Sequence, residues 1–275
     1  MMIKKRKHKI GIVGCGAIGS RIAKSINNEL KNTCILSGLY DIDTQKAQKL
    51  AKTLSAKSTV KISLNALIKS CDLVVEAVKA PKTHNIISAA LHAKKNVLAM
   101  SVGKLLNETG LFKLAEKNHC TILLPSGAVS GLDAVKAASL AGISSITLTT
   151  RKPPSGFSRS PHITAKGINL DKIDCETVIY DGGVDKAVEL FPENINVAAT
   201  LALACGAKNK LRVRIITAPD FKRNSHEIDV IGDFGRMVTR TENVVCPDNP
   251  KTSYLAVLSA IQTLKQFFSV VKIGT

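Results

Sequence analysis

The sequence predicts an α/β protein whose first half is a doubly wound parallel sheet and whose second half is an α+β domain with a mixed or antiparallel sheet. Three observations carry that reading. Between residues 10 and 124, short apolar runs alternate with amphipathic helical segments, the pattern of βαβ crossovers. A glycine-rich turn, Gly14-Cys15-Gly16-Ala17-Ile18-Gly19, joins the first apolar run to the first helix. After residue 128 the alternation gives way to half-exposed segments in succession, which pair antiparallel or mixed.

The turn organises the first half. Ile10-Gly11-Ile12-Val13 has the length of a buried parallel strand, and Ile18, Ile22, Ala23 and Ile26 share one helical face. The glycines therefore stand where a strand turns into a helix, the context of the dinucleotide-binding fingerprint in a Rossmann-type fold. Gly14 permits the tight turn, Gly16 lets a pyrophosphate approach the backbone, and Gly19 lets the helix lie close to the strand. With Ala17 and Ile18 opening the helix, free N–H groups and the positive dipole end face the phosphates. Cys34 to Tyr40 reads as the next strand. Asp41 follows it, roughly 20 to 25 residues past the glycines, where a carboxylate can bond the ribose hydroxyls of NAD. The plainer alternative is a turn that holds nothing, with Asp41 as a helix cap.

The remaining elements follow in order. Asp43 caps a helix with Ala47, Leu50, Ala51 and Leu54 on one face. Val60-Lys61-Ile62 is a brief strand, followed by a short helix over residues 64–68. Leu73 to Val78 is a buried strand, and Pro81 suits the first turn of a helix with Ile86, Ile87, Ala90 and Leu91 inward. Val97 to Met100 and Thr121 to Leu124 are strands, with a helix carrying Leu111, Leu114 and Ala115 between them. Ligands of such sheets bind beyond the carboxyl ends of the strands. Beyond residue 128 come a helix over 131–141, a strand over 146–150 and a proline- and serine-rich loop over 152–168. Then follow a strand over 177–180, a helix over 184–190, a helix over 194–204 closed by Gly206, and strands over 211–217, 226–231 and 237–244. From Ser253 the chain is helical. That helix either returns to the first domain or packs on the second. The return gives a dinucleotide-binding domain of 1–132 with 247–275 and a catalytic and dimerisation domain of 133–246.

Composition narrows the function classes. The net charge of +18 is concentrated in part at residues 4–9, where five of six side chains are Lys or Arg. Aromatic residues are 4% with no Trp, so no stacking platform for nucleic acid is expected, although the basic charge can draw in acidic small molecules. No apolar run reaches the ~18 residues of a membrane span. Seven cysteines without a C-x-x-C pair read as reduced thiols of a cytoplasmic protein, with no metal site. Among six histidines, His226 stands apart. It opens a strand of the second domain, where it could face a cofactor across a cleft as an acid–base group.

At this point the chain resembles the L-aspartate dehydrogenases. Ser126-Gly127-Ala128-Val129-Ser130-Gly131-Leu132-Asp133-Ala134 is similar to the family's segment after the last nucleotide-domain strand. Residues Phe191 to Ala199, His226-Glu227-Ile228 with Gly232-Asp233-Phe234-Gly235, and Asn249 to Ser253 resemble further family segments, in the right order. The resemblance implies NAD(P)-dependent oxidation of L-aspartate to iminoaspartate, a step toward quinolinate and NAD. It implies His226 as the active-site residue, Ala128 and Asn196 against the cofactor, and a homodimer built through the second domain. Asp41 argues for NAD as the preferred nucleotide and NADP as tolerated, with Lys46 and Lys49 near enough to offset its repulsion of a 2′-phosphate. Lys79 and Lys104, on loops after strands, are candidates for a substrate carboxylate. The competing readings are an aspartate-pathway reductase acting on another small acid, a non-catalytic NAD(H)-binding regulator, and a basic nucleic-acid binder.

Overall fold

A computed structural model of the chain describes residues 6–54, 60–78, 81–158, 160–192, 195–247 and 249–274. The chain forms two compact units, residues 1–125 with 260–271 and residues 126–259 with 272–275. The sequence pattern places these divisions at 132/133 and 246/247, whereas the structure divides at 125/126 and inside the last helix, at 259/260.

The first unit is laid down in the order β1 (His8–Val13), α1 (Ala17–Asn27), β2 (Cys34–Tyr40), α2 (Thr44–Thr53), α3 (Leu64–Ser70), β3 (Leu73–Glu76), α4 (Thr83–His92), β4 (Asn96–Ala99), α5 (Thr109–Lys117) and β5 (Ile122–Leu123). Its sheet runs β2-β1-β3-β4-β5, with every pair parallel. The strand order reverses between β1 and β3, so a crevice opens at the carboxyl end of β1. β3 is apolar except at its last residue and is fully buried, as a strand covered on both faces must be. Ile87, Ala90 and Leu91 of α4 pack with Val74 and Val97 in its core. Each buried Ile or Leu of this kind contributes about 1.5–3 kcal/mol.

The expected strand at Val60-Lys61-Ile62 contracts to one parallel bridge, Val60 on Leu39. It lies at the sheet edge, and Ile62 is 96% exposed, so little burial favours extending it. Asp43 caps α2 as expected, its side chain accepting from the Gln45 N–H at 3.1 Å. At the other end of the chain the helix α10 (Tyr254–Phe268) contributes its second half to this unit, and Phe268 stacks on His8 with centroids 4.0 Å apart.

The second unit contains α6 (Leu132–Ser139), β6 (Ile143–Lys152), α7 (Pro161–Ala165), β7 (Thr177–Gly183), α8 (Val184–Leu190), α9 (Asn196–Cys205), β8 (Leu211–Thr217), β9 (Asn224–Gly232), β10 (Gly235–Asn243) and a small hairpin of β11 (Val245–Cys246) with β12 (Asn249–Ser253). Its main sheet runs β10-β9-β6-β8-β7. β6 and β8 are parallel and the other pairs antiparallel, so the sheet is mixed. α8 packs on β7 and β8, and α9 packs on α6 and α8.

The stretch 152–168 reads as loop in the sequence, yet it holds a tight 3₁₀ turn at Pro154–Phe157 and the helix α7. Both begin with proline in the first turn, where its missing N–H costs nothing. Phe191, fully buried, anchors the region: Phe157, Tyr180 and His162 meet it edge-on with centroids 6.3, 5.7 and 5.2 Å away. Among the described residues no helix is long and apolar enough to cross a membrane.

Candidate active site

In the first unit the glycine turn is dictated by space. Gly14 has φ +97°, a conformation a side chain resists, and its N–H donates to the Tyr40 carbonyl at 2.8 Å. A Cβ on Gly14 would overlap the Ala77 carbonyl, and one on Gly19 would overlap the Gly14 carbonyl. At Gly16 a Cβ would meet nothing within 4 Å. The backbone there borders open space, a cradle fit for a pyrophosphate. Gly16 is the N-cap of α1, Ala17 and Ile18 form its half-buried first turn, and no acidic residue stands there to repel an anion.

Asp41 lies against this turn. One carboxylate oxygen accepts the Cys15 N–H at 2.7 Å and the other accepts the Asp43 N–H at 2.9 Å. A carboxylate has about four acceptor positions, so capacity for ribose hydroxyls remains. Burial, and then the Asp41 charge, push the Cys15 thiol up to about 12, which leaves it unreactive.

Glu76 ends β3 with no exposed surface. Its carboxylate accepts from the Ser101 hydroxyl at 2.8 Å, the Ser101 N–H at 3.1 Å, the Thr83 hydroxyl at 3.1 Å, the Met100 N–H at 3.2 Å and the Val78 N–H at 3.3 Å. Burial raises its pKa, and these hydrogen bonds to the carboxylate oppose the rise. The group ties together the loops after β3 and β4, at the carboxyl edge of the sheet. The sequence signal was an acidic residue inside the apolar run Leu73-Val74-Val75-Glu76-Ala77-Val78. Lys104 is exposed, in the 3₁₀ turn Val102–Lys104. Lys79 lies outside the described residues.

In the second unit, strand alternation and pairing give one buried sheet face that carries Ile146 and Leu148 of β6, Leu211, Val213 and Ile215 of β8, and Ile228 and Val230 of β9. At one end the face turns polar. His226 pairs with Thr150 on β6 and with Thr241 on β10. His226 is 4% exposed, and its Nδ1 lies 3.0 Å from Thr150 Oγ1. Burial, and then the charge of Lys152, lower the imidazole to about 3, so it is neutral across the physiological range. Lys152 is two residues beyond Thr150, hence on the same face, and pairs with Thr217 of β8. Burial lowers its ammonium to about 8.

Ala128 joins this end of the sheet. Its carbonyl accepts the Thr241 hydroxyl at 2.8 Å and the Asn243 amide at 3.1 Å. Its neighbour Gly127 lies beside Val197, at the start of α9, where the exposed Asn196 is the first residue. His226, Ala128 and the start of α9 thus belong to one unit, and the glycine turn and Asp41 to the other. Sequence inspection passes over Thr150 and Lys152, because nothing local marks a residue whose partner is 76 positions away. Among the described residues no cluster of three His, Cys, Asp or Glu side chains could hold a metal ion.

Comparison with known proteins bears on what these units do. Residues 14–125 match the family model of the homoserine dehydrogenase NAD-binding domain, and residues 133–267 match that of the aspartate dehydrogenase C-terminal domain. The first unit is therefore of a pyridine-nucleotide-binding type, and the open backbone at Gly16 suits that ligand. The L-aspartate dehydrogenase of Methanosarcina barkeri is 45% identical over 270 residues, covering 97% of this chain and 99% of that protein. That of Methanosarcina mazei is 46% identical with the same coverage. Aspartate dehydrogenase from Thermotoga maritima has the same fold, with a TM-score of 0.73 at 22% identity over 98% of this chain and all of that one. A homoserine dehydrogenase from Thiobacillus denitrificans follows with a TM-score of 0.61 at 13% identity, over 94% of this chain and 72% of that one. By identity maintained from end to end, and by a dedicated model over its second half, the chain belongs to the aspartate dehydrogenase family.

Proposed function

We propose that this chain oxidises L-aspartate to iminoaspartate with NAD(P), and that His226 is its acid–base residue. The observation that carries the assignment of His226 is a buried neutral imidazole, oriented by Thr150, in a chain whose relatives are L-aspartate dehydrogenases. Bound nucleotide supplies the hydride acceptor for the substrate Cα–H. The glycine turn from Gly14 to Gly19, including Ala17 and Ile18, holds its phosphates and Asp41 its ribose, with Ala128 and Asn196 as further contacts.

The amine of aspartate must lose its proton before its lone pair can push hydride away from Cα. With Nδ1–H donating to Thr150 Oγ1, Nε2 of His226 carries the lone pair that accepts this proton, directly or through one water. We assign this tautomer from the chemistry. An imidazole held near 3 is a weak base, but the substrate brings two carboxylates and a net negative charge. That charge favours imidazolium and raises the proton affinity of His226 when substrate arrives. Once it has released that proton to solvent, the same imidazole can accept a proton from the water that hydrolyses the imine.

Asp41 supports NAD as the preferred nucleotide, because a carboxylate repels the 2′-phosphate of NADP. Lys46 is paired with Asp43 at 3.4 Å, which weakens its offset of that repulsion. Free thiols support a reducing compartment, the cytoplasm. A homodimer built through the second unit is the assembly we expect, and the product feeds quinolinate formation. Following reduced nucleotide by absorbance with L-aspartate and NAD at alkaline pH tests the reaction. His226→Ala should lower kcat by about 10²–10⁴-fold with nucleotide binding intact. A folded variant with near-normal kcat would remove His226 from the mechanism.

A further inference from the structure

The polar end of the buried sheet face carries a cation that the proton transfer does not require. Lys152 is the last residue of β6, and alternation puts its side chain on the face that holds Thr150 and His226. The diagonal neighbour of a paired residue lies about 7–8 Å away, within reach of a long side chain. Its aliphatic stem passes over Gly156, where a Cβ would meet Lys152 Cβ at 3.5 Å and Cδ at 3.6 Å. Its own carbonyl accepts the hydroxyl of fully buried Thr217 at 2.9 Å, which fixes the strand end. On the opposite face the neighbouring charges neutralise one another, Arg151 pairing with Glu227 at 3.4 Å.

We infer that Lys152, placed beside His226 and Thr150 on one sheet face, binds a carboxylate of the dicarboxylic substrate. The inference rests on His226 marking the reaction site. A dicarboxylate needs a cation to offset the loss of hydration, and an ammonium on a fixed strand supplies one as a point charge. Its lowered pKa agrees, because a site whose burial disfavours the cation gains when an anion enters. The placement also differs in kind from that of Lys104, which is exposed on a turn of the first unit.

Lys152→Met tests this, read by steady-state kinetics with L-aspartate and by inhibition with succinate. The expected result is a rise of about 10- to 100-fold in the KM for L-aspartate and a similar weakening of succinate, with the KM for NAD within about twofold of wild type. Lys152→Arg, which restores a cation, should recover most of the loss. The substitution removes a charge from a half-buried side chain, so folding is expected to survive, and a thermal melt checks it. If Lys152→Met does not fold, folded Lys152→Gln and Lys152→Arg give the same comparison between lost and retained charge. An unchanged KM for aspartate in a folded, charge-removed variant overturns the inference, as does a rise in the KM for NAD of equal size. A rise confined to Lys104→Ala overturns it in favour of that residue. His226→Ala, run alongside, separates the two readings. If it abolishes turnover while Lys152→Met leaves KM unchanged, only the lysine assignment fails. If it turns over normally, the assignment of His226 fails first.

Discussion

Acid should unfold this protein partly through one imidazole. His226 is held to about 3 when folded, against an ordinary value near 6.5 when unfolded. The folded pKa lies below the unfolded one, so above pH 6.5 both states carry a neutral ring and nothing is lost. As pH falls from 6.5 toward 3, the unfolded chain takes up a proton that the folded chain refuses. Stability then falls by about 1.4 kcal/mol per pH unit, which amounts to about 2 kcal/mol at pH 5 and about 3 kcal/mol at pH 4. Replacing His226 with Gln removes the titration and keeps a polar partner for Thr150. Urea unfolding of both proteins from pH 4 to 8 gives the difference in stability, in which the other titrating groups cancel. The difference should be flat above pH 7 and tilt against wild type below 6.5. A wild type and variant that keep a constant difference down to pH 5 would show an imidazole that titrates freely, and the buried neutral base would have to be abandoned.

Three further outcomes follow from the first unit. Gly19→Ala should abolish tight NADH binding, measured by fluorescence, since its methyl would drive α1 away from the Gly14 carbonyl; retained affinity would refute the close-packing role. Glu76→Gln should cost about 2–4 kcal/mol in a urea titration, because an amide nitrogen cannot accept from the donors that converge there. Its KM for NAD should rise as the two loops loosen, and Glu76→Asp should not rescue it, being too short to reach both. Asp41→Ser should shift the ratio of kcat/KM for NAD and NADP toward NADP by at least about tenfold; an unmoved ratio would release Asp41 from the ribose.

How much of this was legible in the sequence depends on how local the cause is. The parallel half was readable because its central strands β1, β3 and β4 are largely buried and read as apolar runs, while each helix shows its own period. Val60 fails that rule: its strand depends on edge pairing with Leu39, which propensity does not encode. The turn and helix between 154 and 165 were hidden because Phe191, far along the chain, orders them from outside. The parallel pairing of β6 with β8 was equally hidden, since alternation announces a strand and not its neighbour. The contact between Asp41 and the glycine turn was legible because their spacing along the chain sets their geometry. Thr150 and Lys152 were not, because a sheet register over 76 residues makes them neighbours of His226. Glu76 left a trace, a charge within an apolar run, which means either an error of patterning or a satisfied buried group. The five donors around it decide for the second.

The polar end of the second sheet can be understood as a site whose basicity the substrate supplies. A free imidazole near 6.5 would be about a quarter charged at pH 7, and each protonated copy would be unable to accept the amine proton. Burial removes that loss by keeping His226 neutral, and Thr150 fixes its ring at the same time. The cost is a base too weak to act alone. If His226 is the base, as proposed, an incoming dicarboxylate would repair it, since negative charge beside an imidazole raises its proton affinity and negative charge beside Lys152 would be favoured in its own right. A neutral amino acid would bring no net charge and would leave the imidazole weak. Discrimination would then appear in kcat as well as in KM, because the charge that binds the substrate is also the charge that makes the base. Comparing L-aspartate with L-asparagine, which differ by one carboxylate, isolates the effect. A difference confined to KM would separate recognition from basicity and refute the coupling.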